Sequence, residues 1–269
     1  MVGEPDLVYV RARRALLDAL EALKPQLEAF VLVGAQAIYL HTGEGDLAVA
    51  PYTTDSDLAL APDLLSDSPL LADSLKGAHF TPGDHPGCWV SPDGVVIDVM
   101  VPASLGGPGS RGARLGVHGK RAARKAKGLE AALVDRTRMR VHSLDASDSR
   151  GFKIWVARPA ALLVAKLHKI GERAGLPLRR DDKDALDVLR LLRHSSTKEL
   201  AERLQQLQTD PTCAEVTRAA LELLERQFSA PDAIGSQMAV RATERLEDPD
   251  TIAQSCAILA NDLLSVLSD

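Results

Sequence analysis

The run Val95-Val96-Ile97-Asp98-Val99-Met100-Val101 constrains this chain more than any other segment. Its β-branched residues suit a pleated, buried surface, yet a carboxylate sits among them. Isolated buried carboxylates are rare, because an ionised group loses far more on leaving water than packing returns. Asp98 therefore needs company, and Thr53-Thr54-Asp55-Ser56-Asp57-Leu58-Ala59-Leu60 offers it. Side chains at i and i+2 of a strand share a face, so Asp55 and Asp57 project together while Leu58 and Leu60 face the core. Alone, that pair would read as a surface turn or an exposed strand face. With Asp98 it becomes a cluster of three carboxylates. Two unit charges about 4 Å apart repel by roughly 4 kcal/mol at an effective dielectric near 20. Such a cluster calls for a divalent cation, and hard ions of the Mg2+ type take oxygen ligands.

Periodicity predicts a helix over 8–24 that ends near Pro25, then a short buried strand from Phe30 to Val33. Gly34 turns this strand into a helical stretch from Ala35 to Leu40. The free N–H groups and dipole at such a helix start can hold phosphate, although a glycine turn by itself is weak evidence. A loop over 43–51 precedes the Asp55/Asp57 strand. Residues 62–77 read as a helix and 81–94 as a Pro/Gly-rich turn region. The Gly/Ser-rich loop 104–110 leads into a helix-like basic stretch that runs to about Val134. Residues 138–144 and 152–157 alternate like the two strands of a hairpin. From Pro159 the pattern is helical, with proline starts expected at Pro211, Pro231 and Pro249. The expected fold is α+β, with a mixed-sheet core over 1–158 and a helical C-terminal domain over 159–269.

A strand ending in Gly34-Ala35, then Asp55-x-Asp57, then Asp98 on another strand resembles the signature of the polymerase-β-like nucleotidyltransferase superfamily. Farther on, Lys166 lies in Val156-Ala157-Arg158-Pro159-Ala160-Ala161-Leu162-Leu163-Val164-Ala165-Lys166-Leu167. It is followed by Glu172-Arg173 and by Asp182-Lys183-Asp184-Ala185-Leu186-Asp187-Val188. This is similar to the Lys…Arg…Lys-Asp-x-x-Asp pattern of the AbiEii branch, the toxins of type IV toxin–antitoxin systems. That branch includes mycobacterial toxins that add nucleotides to tRNA 3′ ends. The resemblance spans about residues 30–193.

The resemblance implies a nucleotidyltransferase that uses Mg2+ or Mn2+ and an NTP. Asp55, Asp57 and Asp98 would hold the metal, and Asp98 would also act as base. Gly34, Ala35, Lys166 and Arg173 would cradle the nucleotide, while Asp184 or Asp187 would orient Lys166 or close the site. RNA, with the tRNA 3′ end foremost, would be the acceptor, and a cognate antitoxin a partner. The alternatives are a small-molecule or protein acceptor, or a catalytically inactive nucleotide-binding module. Ala35 stands where the family has Gly or Ser, so its side chain offers no hydroxyl to phosphate, and Gln36 could compensate. Nineteen residues separate Ala35 from Asp55, which an inserted loop over 41–53 explains. By helical spacing alone Lys166 and Lys169 would be snorkelling surface lysines. The resemblance lifts only Lys166 out of that reading.

Charge narrows the partners. A net charge of −5 and 3% aromatic residues exclude a uniformly basic nucleic-acid coat and weaken any base-stacking platform. Yet Arg111, Arg114, Lys120, Arg121, Arg124, Lys125 and Lys127 lie close together with no acid among them. Such a run can be only a solvated helix face. Beside a phosphoryl-transfer site it is a candidate dock for nucleic-acid phosphates, giving affinity and position, not base readout. Cys88, Cys213 and Cys256 are scattered and in no metal-ligand spacing. Neither disulfides nor a zinc site is expected, and a reducing cytoplasm fits. No leader and no apolar run near eighteen residues is read, so no membrane association is expected. His118 and His168 read as structural or surface histidines, with no catalytic role.

Overall fold

In a computed structural model, residues 6–43, 47, 49, 51–109, 111–173, 182–243 and 246–268 are described. Much of the expected 43–51 loop therefore lies outside the described residues. Helix α1 (Leu7–Ala22) buries Leu16, Leu17 and Leu20 and is capped by Asp6, whose carboxylate accepts the Val8 N–H at 2.7 Å. A 3-10 turn over Lys24–Ala29 carries Pro25 and leads into β1 (Phe30–Val33), buried throughout. Helix α2 (Gly34–Thr42) follows with no intervening loop, and β2 (Asp55–Leu60) returns antiparallel to β1.

The expected helix over 62–77 is only partly present. A 3-10 turn occupies Pro62–Leu64, and α3 begins at Leu71 and ends at Gly77. Ser66 to Pro69 are taken up otherwise: the Gln26 amide donates to the carbonyls of Ser66 and Pro69. The expected turn region over 81–94 holds two short strands, β3 (Thr81–Pro82) and β4 (Cys88–Val90). Strand β5 (Val96–Pro102) is central. Beside it lies β6 (Arg124–Ala126), then α4 (Glu130–Val134), and the hairpin β7 (Arg136–His142) and β8 (Gly151–Ala157).

The sheet order is β3-β4-β5-β2-β1-β8-β7, with β6 joined to β5 beyond the end of β4. Parallel pairs β1/β8, β2/β5 and β5/β6 and antiparallel pairs elsewhere make it a mixed sheet. The basic stretch is not a helix. Its backbone pairs across itself, Lys125 N–H to Arg111 C=O at 2.8 Å and Ala113 N–H to Ala123 C=O at 3.0 Å, with only a 3-10 turn over Gly116–His118. These cross-chain bonds use donors that a helix would have sent four residues back.

Among the described residues everything after β8 is helical: α5 (Pro159–Arg173), α6 (Asp182–His194), α7 (Thr197–Thr209), α8 (Ala214–Phe228), α9 (Ile234–Ala242) and α10 (Pro249–Ser268). Pro249 opens α10 as expected. Pro211 and Pro231 instead sit in turns three residues ahead of α8 and α9, because Asp210 ends α7 and takes the Cys213 and Ala214 N–H groups on its carbonyl. Helices α5 and α6 pack against α2, and α5 also against α4, which joins the helical region to the sheet. By length and composition α10 could cross a bilayer. It buries Ile252, Ala253, Cys256, Ala257, Ala260 and Leu263, and it packs against α6, α7, α8 and α9.

Candidate active site

Register assembles the acidic cluster. Val33 of β1 pairs with Asp57 of β2, Asp57 with Asp98 of β5, and Asp98 with Cys88 of β4. Residues paired across neighbouring strands share a face, so one row carries Asp57, Asp98 and Cys88, with Asp55 one pleat away. Ser56, Leu58 and Leu60 take the opposite face, where the Ser56 hydroxyl donates to the Ala12 carbonyl of α1 at 3.3 Å. Gly34 closes the row at its β1 end. Its φ is +69°, and a Cβ there would overlap the Asp57 carboxylate, 2.8 Å from its Cγ. Only glycine lets the start of α2 approach this acid so closely.

The row is electrostatically strained. Asp57 is pushed up to about 6, first by burial, then by the Asp55 charge; Asp98 adds to this while Lys169 and Lys166 oppose it. Asp98 is ion-paired through Oδ2 to Arg124 at 3.0 Å, and its Oδ1 is buried with no hydrogen-bond partner among the described residues. Asp55 Oδ1 accepts the Thr53 hydroxyl at 2.8 Å. An orphaned buried oxygen beside two more carboxylates, one held near its protonation point by the others, fits a hard divalent cation.

Facing the row is a stripe on α5. Lys166, Lys169 and Arg173 recur at helical spacing, and all three line a pocket with Gly34, Asp57 and Arg124. Lys166 is buried, at 5% exposure, and its ammonium donates to Asp184 at 2.6 Å and Asp187 at 2.7 Å, both on α6. Burial works to lower the Lys166 pKa, but the two carboxylates outweigh it and hold it well above the ordinary lysine value. Asp184 is likewise raised by burial but more strongly lowered by Lys166 and Lys169, and ends below the usual carboxylate range. It also receives Lys169 at 3.0 Å and Arg173 at 3.2 Å. An ammonium has three donors; two of those on Lys166 are taken by α6.

Other expected residues fall elsewhere. Ala35 is buried in the first turn of α2, a helix start that no side chain caps. Gln36 is also buried, but it faces away from the row: it accepts from Arg13 at 2.7 Å and donates to Ser56 Oγ at 2.5 Å. It cannot take the place of the missing hydroxyl. The seven basic residues do not form one face. Arg124 is committed to Asp98, Lys125 to the carbonyls of Gly107 and Gly109, and Arg121 donates to the Gly83 carbonyl at 3.1 Å. Lys127 lines the pocket, and Arg111, Arg114 and Lys120 are exposed. His118 accepts the Leu71 N–H at Nδ1 and meets the Ser66 carbonyl at Nε2, and His168 Nε2 meets the Val216 carbonyl. Both serve structure.

Three features escaped the sequence reading. Lys169 is a pocket residue, and its i+3 offset from Lys166 was the available signal. Arg124 is the counter-charge of Asp98, a pairing set by β6 lying beside β5. Cys88 lies beside His85 and Asp98, although its spacing to the other cysteines implied no metal set. Burial pushes the Cys88 thiol up, and the Asp98 and Asp84 charges add to it. No protein-family model matches the chain, and a comparison with curated proteins finds no match.

Proposed function

We propose that this protein is a metal-dependent nucleotidyltransferase that moves NMP from an NTP to an acceptor hydroxyl, releasing pyrophosphate. The observation that carries this reading is the Asp57–Asp98 register beneath the glycine start of α2, with Asp55 on the same face and a lysine stripe opposite. Mg2+ or Mn2+ bound at Asp55, Asp57 and Asp98 would neutralise nucleotide phosphate charge and make the acceptor hydroxyl more acidic. The uncapped N–H groups at the start of α2 and the remaining Lys166 N–H hold phosphate oxygens. Lys169 and Arg173, at the pocket wall, add positive charge. Arg124 fixes the Asp98 carboxylate through Oδ2, which leaves Oδ1 to accept the hydroxyl proton.

The leading acceptor is RNA, foremost the tRNA 3′ end, with the protein acting as a cytoplasmic toxin of a toxin–antitoxin pair. That part rests on the AbiEii-like pattern around Lys166, Arg173, Asp184 and Asp187. Exposed Arg111, Arg114, Lys120 and Arg121, with Lys127 at the pocket, would bind RNA phosphates. A small-molecule acceptor is favoured by one observation: Arg124 is ion-paired to Asp98 and Lys125 is tied to the Gly107 and Gly109 carbonyls, which takes both from such a dock.

The test is incubation with each α-labelled NTP, Mg2+ and total RNA, with Asp57→Ala as control. Label on tRNA that vanishes in the variant is the expected result. Transfer to no RNA, but to a small acceptor, moves the second reading ahead. Mg2+-dependent NTP binding with no transfer to anything leaves an inactive nucleotide-binding module.

A further inference from the structure

We propose that His85, Cys88 and Asp98 form a binding site for a borderline transition-metal cation of the Zn2+ type, separate in chemistry from the carboxylate site but sharing Asp98 with it. One donor atom from each residue lies within 4.8 Å of the others. Cys88 and Asp98 are paired in register on adjacent strands, so their side chains share a face. His85 Nδ1 lies 3.0 Å from the Pro86 carbonyl. Donation there places the lone pair on Nε2 and fixes the tautomer that a metal takes. Asp98 uses Oδ2 for Arg124, while Oδ1 is buried and without a partner among the described residues.

The donor set decides the ion. Thiolate and imidazole are poor ligands for Mg2+ and good ones for Zn2+, which sits in tetrahedral N/S/O sets with water in the fourth position. Ordinary zinc bond lengths put tetrahedral donors about 3.5 Å apart, so donors within 4.8 Å of one another need close by no more than about 1.3 Å on binding. The cation displaces the Cys88 thiol proton to solvent. Because Asp98 serves both sites, Zn2+ here removes a ligand from the carboxylate row and inhibits the Mg2+-dependent reaction. That inhibitory consequence rests on the proposed activity; the binding itself does not.

The experiment titrates the metal-free full-length protein with Co2+ in the absence of nucleotide. A thiolate-to-Co2+ charge-transfer band is expected, lost in Cys88→Ser and retained in Asp57→Asn. His85→Gln, which changes a residue in the turn before β4, should weaken Zn2+ binding about tenfold or more in competition with a chelator. No thiolate band, a band that survives Cys88→Ser, or unchanged affinity in His85→Gln overturns the site. If nucleotidyl transfer is observed, undiminished Zn2+ inhibition in Cys88→Ser overturns the shared role of Asp98.

Discussion

The carboxylate row on the sheet and the lysine clamp between α5 and α6 are both charged and both largely withdrawn from water, yet they are opposites. In the clamp, one buried ammonium meets two carboxylates, each within hydrogen-bonding distance, and Lys169 and Arg173 add charge at the rim. In the row, Asp55, Asp57 and Asp98 stand together against one direct ion pair, from Arg124. Each region leaves one buried carboxylate oxygen without a hydrogen-bond partner among the described residues, Asp187 Oδ1 in the clamp and Asp98 Oδ1 in the row, but only the row is short of positive charge. In one region the charges hold a lysine in place; in the other they face one another.

The sharpest way to break this contrast is to remove the clamp's cation. Lys166→Ala leaves Asp187 buried without its ammonium and Asp184 with only Lys169 and Arg173, and a loss of about 3–5 kcal/mol is expected in urea or thermal unfolding. A loss below about 1 kcal/mol would mean that water reaches the clamp and that it is no more enclosed than a surface pair. In the row the sign reverses. Asp57 is raised in the folded protein from its ordinary 3.8 to about 6, so the folded state holds this proton more tightly than the unfolded chain does. Its stabilising contribution is full below about pH 4 and is lost as pH rises through about 6. In chelator, Asp57→Asn should therefore stabilise the protein above pH 6 by on the order of 2 kcal/mol, with the gain fading near pH 4. Destabilisation at pH 7.5, about the upper end of the usual stability range, would show that the row is already compensated.

Asp184 sharpens the contrast from the other side. Its pKa is lowered on folding, so its contribution is present at neutral pH and begins to fail only as pH falls through the ordinary carboxylate range. The smallest expected effect is Lys169→Gln. Its side chain is 36% exposed, so stability should change by less than about 1 kcal/mol. Because Lys169 lowers the Asp57 pKa, removing it should move that titration upward, measurable by NMR of the Asp57 carboxyl. A downward or absent shift would separate the α5 stripe from the row.

Much of this fold was readable because it is local. The β1 strand, the glycine turn into α2 and the proline start of α10 each announce themselves within ten residues or so, and the β7/β8 hairpin within about twenty. The acidic row was readable for a different reason: a carboxylate inside a β-branched strand has few tolerable explanations. What stayed hidden depends on partners far along the chain. Residues 111–127 carry helix-forming side chains, but their backbone pairs across a loop and along β5. Gln36 follows a glycine turn in the manner of a phosphate ligand, yet it is recruited by Arg13, twenty-three residues earlier. His85 stands only three residues before Cys88 in the sequence, but the Asp98 neighbour is set by the β4/β5 register, which no spacing within the 81–94 segment reveals.

The placement of the two charged regions along the chain sets an order of events during synthesis. Asp55, Asp57 and Asp98 are all made before Lys166, Asp98 by roughly 3–14 s and Asp55 by roughly 6–22 s at about 5–20 residues per second. Strand β8, which pairs with β1, is also still to come. A chain halted short of α5 carries its acids without their opposing helix, and one halted short of α6 carries Lys166 without the residues that orient it. The pocket comes into being only once α5, and the α6 carboxylates that hold Lys166, have both been made.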